Sequence, residues 1–124
     1  MAYKSPEEGH EVTMIMNGIP EEYKKNEALL EDLISEILKE EKFGVLEFSS
    51  YHFEPHGFTG MWILSESHAT IHTYPEHDSI YFNMYSCRGP NDCTQTCKKI
   101  LREILPKNLE YRERKICLKP QKKS

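Results

Sequence analysis

Residues 45–87 have the sequence VLEFSSYHFEPHGFTGMWILSESHATIHTYPEHDSIYFNMYSC, and this stretch decides the fold. Four runs within it are rich in β-branched and aromatic residues and alternate in polarity, which is typical of strands with one buried face. We predict strands over Val45–Phe53, Phe58–Leu64, Ala69–Tyr74 and Ser79–Cys87. Turn residues at 55–57 separate the first two of these strands, and turn residues at 76–78 separate the last two. Consecutive strands with short connections imply an antiparallel meander.

The segments on either side add two strands and two helices. A strand over Glu11–Met16 precedes the turn at Asn17–Gly18, and a helix over Ala28–Glu40 ends near Gly44. Its apolar stripe consists of Leu29, Leu30, Leu33, Ile34, Ile37 and Leu38.

A second helix is predicted over Asn91–Leu105, before Pro106, and a last strand over Leu109–Leu118. The inner stripe of this helix is predicted to be Cys97, Ile100, Leu101, Ile104 and Leu105. The basic tail Lys119–Ser124 is expected to fray. The element order predicts an α+β fold, a two-layer sandwich in which two helices pack on one face of an antiparallel sheet. Residues 1–124 form one domain.

Composition narrows the class of protein. With 29% charged residues, 38% apolar residues and a net charge of -4, the chain gives no electrostatic case for a nucleic-acid or anionic membrane partner. It contains no apolar run of the roughly 20 residues that span a bilayer, and Met1–Gly9 has no apolar core of a signal peptide, so a cytoplasmic protein is expected. The four cysteines are accordingly expected to be reduced. Cys93 and Cys97 share a helix face, but no Cys/His quartet has zinc-finger spacing, and we predict no metal site.

Residues Leu64–Glu76 carry an unusual density of reactive groups, with two serines, two histidines and two carboxylates. On chemical grounds, the hydroxyl of Ser67 can attack the carbonyl of Glu66, which replaces an amide by a more labile ester. The alternative for any single serine in such a run is a strand-edge or turn residue, and only the whole run favours chemistry.

The same run resembles the self-cleavage segment SESHxTIHxxPE of the small prokaryotic S-adenosylmethionine decarboxylases. The resemblance continues in His52-Phe53-x-Pro55-x-Gly57-x-Thr59-Gly60, in Tyr85-Ser86-Cys87 and, more loosely, in Gly9-His10. It implies autocatalytic cleavage between Glu66 and Ser67 into a β chain, 1–66, and an α chain, 67–124. Ser67 would become a covalently bound pyruvoyl group, the only cofactor implied, which forms a Schiff base with the substrate amine and takes the role of an electron sink.

The resemblance also assigns roles to other residues. His72 matches the proton acceptor in processing, assisted by the hydroxyl of Thr59. Cys87 matches the acid that protonates the decarboxylated substrate, a task that suits a thiol. His68 matches a motif position without a separate catalytic step.

For the substrate, Phe53 and Tyr74 match aromatic residues that stack on the adenine of S-adenosylmethionine, and Glu76 matches a carboxylate that binds the ribose hydroxyls. The implied activity is decarboxylation of S-adenosylmethionine, which supplies aminopropyl groups for polyamine (spermidine) biosynthesis. The implied assembly is a homodimer in which the second protomer covers the open sheet face, with active sites at or near the interface.

Three alternatives stay open at this stage. Arg88-Gly89-Pro90-Asn91-Asp92 and Ala69 depart from the family pattern, and Arg88 is positioned to reshape the pocket or meet a substrate carboxylate, so a decarboxylase acting on arginine or ornithine is the first alternative. A catalytically silent partner subunit is the second. The third is a metal sensor built on His68 and His72, which share a strand face and would need His77, Glu76 or Cys87 as a further ligand.

Overall fold

The computed structural model describes residues 3, 4 and 6–120. Residues 121–124 of the tail predicted to fray lie outside the described residues. The described strands are β1 (Glu8–Asn17), β2 (Val45–His52), β3 (Phe58–Leu64), β4 (Ser67–Tyr74), β5 (Ser79–Ser86) and β6 (Asn108–Cys117). The helices are α1 (Glu21–Lys25), α2 (Glu27–Glu40) and α3 (Thr94–Ile104), with a 3-10 turn at Pro75–His77. Within the described part of the chain, no helix is long and apolar enough to cross a membrane.

The strands form one antiparallel sheet in the order β2-β3-β4-β5-β1-β6. The predicted meander is confirmed as β2 to β5, and β1 is inserted between β5 and β6. The predicted α+β class is confirmed as well, with the five-residue helix α1 as an addition. Phe53 and Cys87, predicted as strand ends, lie one residue beyond β2 and β5.

One sheet face is buried under the helices and the other is open. Along β3, Phe58, Trp62 and Leu64 are buried, whereas Met61 and Ile63 are 49% and 47% exposed. The buried strand residues join α2 and α3 in one core cluster. The indole Nε1 of Trp62 donates to Ser35 Oγ of α2 at 2.9 Å, so a polar contact also fixes the helix on β3. Apolar side chains therefore remain exposed on the open face.

Helix α2 has defined ends. The Asn26 side chain caps its start by accepting the Leu29 N–H at 3.2 Å. At the other end, Lys42, not Gly44 as predicted, adopts the left-handed conformation with φ 65°. The Phe43 N–H donates to Leu38 O at 2.9 Å, and the Lys42 N–H donates to Lys39 O at 3.0 Å. These two bonds form a Schellman motif, whose stabilisation allows a lysine at this position.

The inner stripe of α3 is confirmed except at one position. Cys97, Ile100 and Ile104 are buried and Leu101 is partly buried. Leu105 is 70% exposed, because it ends the helix in the left-handed conformation with φ 51° and turns off the inner face.

All four cysteines are free.

A buried histidine ties α3 to the sheet. His10 Nδ1 accepts the Cys93 N–H at 3.1 Å, and His10 Nε2 lies 2.9 Å from Glu113 Oε2. Because Nδ1 is an acceptor, the ring proton is on Nε2 and is donated to Glu113. One neutral side chain thus joins β1, β6 and the start of α3.

Candidate active site

Ser67 is the first residue of β4 and follows the bend at Ser65 and Glu66 that joins β3 to β4. In the sheet it pairs with Ser86 of β5. Its hydroxyl oxygen is buried and has no hydrogen-bond partner among the residues that the structure describes. Leaving a buried hydroxyl unpaired costs about 1 to 3 kcal/mol, so such a group calls for an explanation. A hydroxyl free of other bonds, next to the Glu66 peptide bond, fits the precursor of a pyruvoyl group.

Cys87 lies at the same end of the sheet as Ser67, because it directly follows Ser86, the register partner of Ser67. Tyr85, two residues earlier, shares the open face with Cys87. The pKa of Tyr85 is raised to about 12, mainly by hydrogen bonding with Cys87 and to a smaller extent by burial. The predicted nucleophile and the predicted acid therefore lie at the same end of the sheet, but the Ser67 side chain shares the helix side with its buried partner Ser86, whereas the Cys87 side chain is on the open side.

The role of Tyr85 was not predicted, although it belongs to the matched motif. Its ring stacks on His68, with ring centroids 5.9 Å apart. A Cβ at Gly9 would lie 2.6 Å from the Tyr85 hydroxyl oxygen, so only glycine leaves room for this ring. The available signal was the two-residue spacing from Cys87, which puts both side chains on one strand face.

The predicted processing pair is also in contact. Thr59 and His72 are cross-strand neighbours on β3 and β4, and Thr59 Oγ1 lies 3.0 Å from His72 Nδ1. The imidazole is flanked by Tyr74 and Tyr81, with centroids 6.4 Å and 5.7 Å away. The histidine is thus held by one hydrogen bond and two aromatic rings.

The three predicted substrate contacts lie at the end of the sheet that holds Thr59 and His72. Phe53 starts the β2–β3 loop, where its N–H donates to Gly57 O at 2.8 Å, and its side chain is 52% exposed. Tyr74 is 44% exposed. Glu76, in the 3-10 turn, has a carboxylate oxygen 3.8 Å from His56 Nε2. Two exposed aromatic rings and a carboxylate are available here to a ligand.

The site residues form two groups at opposite ends of the sheet. Ser67 and His72 are separated by five residues of β4, which corresponds to about 16 Å along an extended strand. Within one protomer His72 therefore cannot reach Ser67. Ser67 and Cys87 lie at one end of the sheet, with their side chains on opposite faces, and His72 contacts Thr59 at the other end, so the structure does not bring these two pairs together.

The geometry does not favour the metal-sensor alternative. His68 and His72 share a face of β4, as predicted, but four residues of strand separate them by about 13 Å. Across residues 3, 4 and 6–120, no group of three His, Cys, Asp or Glu side chains is placed to hold a metal ion.

The structure does not support the prediction that Arg88 meets a substrate carboxylate. Its guanidinium lies 3.6 Å from the centroid of the Phe43 ring and donates to both Asp92 carboxylate oxygens. It also donates to the backbone carbonyls of Glu41 and Lys42. Four of the five donors of the guanidinium are thereby used inside the protein.

Comparison with known proteins gives consistent matches. A family model described as S-adenosylmethionine decarboxylase matches residues 10–115. An S-adenosylmethionine decarboxylase proenzyme of Aquifex aeolicus is 38% identical over 60 residues, which cover 48% of this chain and 44% of that protein. A proenzyme of Pyrobaculum neutrophilum is 31% identical over 94 residues, 75% of this chain and 76% of that protein.

The fold has a solved counterpart. The crystal structure of the adenosylmethionine decarboxylase from Aquifex aeolicus superposes with a TM-score of 0.82, at 21% identity, over 98% of this chain and 99% of that one. In sequence, the chain matches about half of the length of several curated relatives, with 44%, 47% and 52% of their residues aligned.

Proposed function

This chain belongs to the S-adenosylmethionine decarboxylase family, and we propose that it cleaves itself between Glu66 and Ser67 and then decarboxylates S-adenosylmethionine. The product would supply aminopropyl groups for polyamine synthesis. The observation that carries the proposal is the buried, unpaired hydroxyl of Ser67, which lies next to the Glu66 peptide bond and at the same end of the sheet as Cys87. The relatives named above are decarboxylase proenzymes, and none is named for arginine or ornithine.

Self-cleavage starts at Ser67. Its hydroxyl attacks the carbonyl carbon of Glu66, and the acyl group moves from nitrogen to oxygen to give an ester. Removal of the α-hydrogen of residue 67 then expels the Glu66 carboxylate, and the resulting dehydroalanine hydrolyses to a pyruvoyl group and ammonia. His72 is the proposed base. When His72 Nδ1 carries a proton and donates it to Thr59 Oγ1, Nε2 is unprotonated and able to accept the α-hydrogen.

The distance along β4 supports a two-protomer reaction for this step. Because His72 is about 16 Å from Ser67 in its own chain, we propose that the His72 of a second copy serves Ser67. A two-fold axis that lies between two stacked open faces, parallel to them and perpendicular to β4, would place the Ser67 end of one sheet opposite the His72 end of the other, giving two identical sites. The half-exposed Met61 and Ile63 on that face support a covered interface.

In turnover, residue 67 would hold the pyruvoyl group, which would supply an electron sink for decarboxylation of the substrate. Phe53 and Tyr74 would stack on the adenine, and Glu76 would accept hydrogen bonds from the two ribose hydroxyls. Cys87 would deliver a proton to the α-carbon of the substrate after carbon dioxide leaves. Tyr85, two residues before Cys87 on the same strand face, would orient the thiol.

Carbon dioxide release from separate incubations with S-adenosylmethionine, arginine and ornithine tests the substrate. We expect release from S-adenosylmethionine alone. Release from arginine or ornithine, with none from S-adenosylmethionine, would overturn the proposed substrate. Glu76→Gln should raise the KM for S-adenosylmethionine about tenfold or more, since two charge-assisted hydrogen bonds weaken. Glu36→Gln, on the exposed side of α2, is the matched control and should leave the KM unchanged.

A further inference from the structure

We propose that Ser86, Arg88 and Asp92 form a brace that positions Cys87 for proton delivery in the reaction proposed above, on which this inference rests. The two neighbours of Cys87 in the chain are bound to the same carboxylate. The Ser86 hydroxyl, on a fully buried side chain, donates to Asp92 Oδ2, and the Arg88 N–H donates to Ser86 Oγ at 3.2 Å. Arg88 Nε and Nη2 donate to Asp92 Oδ2 and Oδ1 at 2.7 and 3.0 Å.

The brace is anchored in the helix layer. Arg88 Nη1 donates to Lys42 O at 3.0 Å, and Nη2 donates to Glu41 O at 3.1 Å. These carbonyls belong to the turn that ends α2. The guanidinium carbon also lies over the Phe43 ring, 3.6 Å from its centroid, within the range of a cation–π contact. A planar fork that serves a carboxylate, two carbonyls and a ring cannot be replaced by the single ammonium group of lysine.

Alternation along the chain explains what the brace controls. Ser86 and Arg88 extend toward the helices, so the side chain of Cys87 between them extends toward the open face. Because Ser86 is the register partner of Ser67, the brace also fixes Cys87 at the end of the sheet where Ser67 is to carry the reacting group, with the two side chains on opposite faces. Arg88 and Asp92 are positioning residues, since they act through Cys87.

Placement of the thiol decides which carbon receives the proton. Protonation of the α-carbon of the substrate, followed by hydrolysis, releases the product amine and restores the pyruvoyl group. Protonation of the carbon derived from Ser67, followed by hydrolysis, leaves the nitrogen of the substrate on the protein as a terminal alanine and releases the carbon skeleton as an aldehyde. The substrate carbon is oxidised and the protein carbon is reduced in equal measure, so no further reagent is needed. A misplaced thiol should therefore increase the alanine-ended chain.

The test compares Arg88→Lys and Asp92→Asn with Lys99→Met in the full-length, self-cleaved protein. Lys99 Nζ binds Glu40 and Glu41 at 3.1 and 2.8 Å, so its loss loosens the same end of α2 without touching the brace. Mass spectrometry of the C-terminal chain before and after turnover measures the alanine-ended fraction. The initial rate gives kcat, and a thermal melt verifies that each variant is folded.

Each brace variant is expected to lower kcat by about tenfold to a hundredfold and to raise the alanine-ended fraction per turnover several-fold. The double variant should be no worse than the single variants, because both remove one network. Unchanged kcat and alanine fraction, equal to those of Lys99→Met, would overturn the brace. If the wild-type protein itself releases no carbon dioxide from S-adenosylmethionine, the proposed function fails instead. Should a brace variant not fold, the milder Ser86→Ala, which keeps the Arg88–Asp92 pair, decides by the same two readouts.

Discussion

At the scale of single residues, the site depends on groups that the protein keeps unbound. The hydroxyl of Ser67 gives up a hydrogen bond in the interior, which costs stability but leaves the oxygen free to attack. Nearby, Gly9 provides the space in which Tyr85 lies against His68 and beside Cys87. The first feature leaves an oxygen without a hydrogen bond, and the second allows Tyr85 to pack closely at the same end of the sheet.

Replacing Cys87 separates cleavage from turnover. Cys87→Ala should still cleave at least in part, because neither the attacking hydroxyl nor the base is removed. Decarboxylation should fall by about a hundredfold or more, since the proton donor is lost. Both quantities are obtained from one preparation, by intact mass and by carbon dioxide release. If Cys87→Ala turns over at the wild-type rate, Cys87 has no part in the chemistry.

Individual residues were predictable from sequence where neighbouring motif positions share a strand. The contact between Thr59 and His72 follows from two adjacent strands of a meander. The brace was not predictable, because Arg88 reaches carbonyls 46 and 47 residues away in the chain. Nothing in the local pattern around Cys87 indicates that α2 ends beneath it.

At the scale of elements, helix α3 and the residue that precedes it contribute two buried cysteines that act as apolar side chains. Burial raises the pKa of Cys93 to about 12 and raises the pKa of Cys97 as well. Both thiols should therefore be protonated and unreactive near neutral pH.

Thiol alkylation of the native protein at pH 8 checks this expectation. Because burial raises the pKa of Cys93 to about 12, very little of this thiol is ionised at that pH. The exposed Cys117 is the internal control and should be labelled quickly. Raising the pH toward 12 increases the thiolate fraction, and unfolding in denaturant should expose all four thiols at once. Modification of Cys93 or Cys97 in the folded protein as fast as Cys117 would contradict this burial.

Most elements were predictable because their hydrophobic periods are regular over many residues. The residues at which the elements end were less predictable. The end of α2 was expected at Gly44, yet Lys42 takes the left-handed position because two Schellman hydrogen bonds offset its strain. Leu105 was assigned to the core from spacing alone, but it takes the left-handed conformation at the end of α3. Tertiary contacts, invisible to a periodicity argument, decide such positions.

At the scale of the whole molecule, the arrangement of the site favours two protomers. Ser67 with Cys87, and Thr59 with His72, lie at opposite ends of one sheet whose open face carries half-exposed apolar residues. Ser67 and His72 are only five residues apart in the sequence, so the motif alone does not indicate that they are far apart in space. The separation becomes evident because the chain between Ser67 and His72 is an extended strand, β4.

Mixed dimers test the two-protomer site. His72→Ala and Ser67→Ala chains should each stay uncleaved when produced alone. Produced together, the His72→Ala chain should be cleaved, because its Ser67 is intact and the partner supplies His72. Mass spectrometry of differently tagged chains distinguishes the two. A Ser67→Ala, His72→Ala double variant as partner is the matched control and should give no rescue. Absence of rescue in an isolated mixed dimer would place the base elsewhere.

Intact mass spectrometry of the purified wild-type chain under denaturing conditions tests self-cleavage, on which everything else in the proposed chemistry depends. We predict two pieces, residues 1–66 ending in Glu66 and residues 67–124 beginning with a ketone in place of an amino group. Ser67→Ala should give one folded, uncleaved chain. A wild-type chain that stays whole on long incubation would contradict the proposed chemistry.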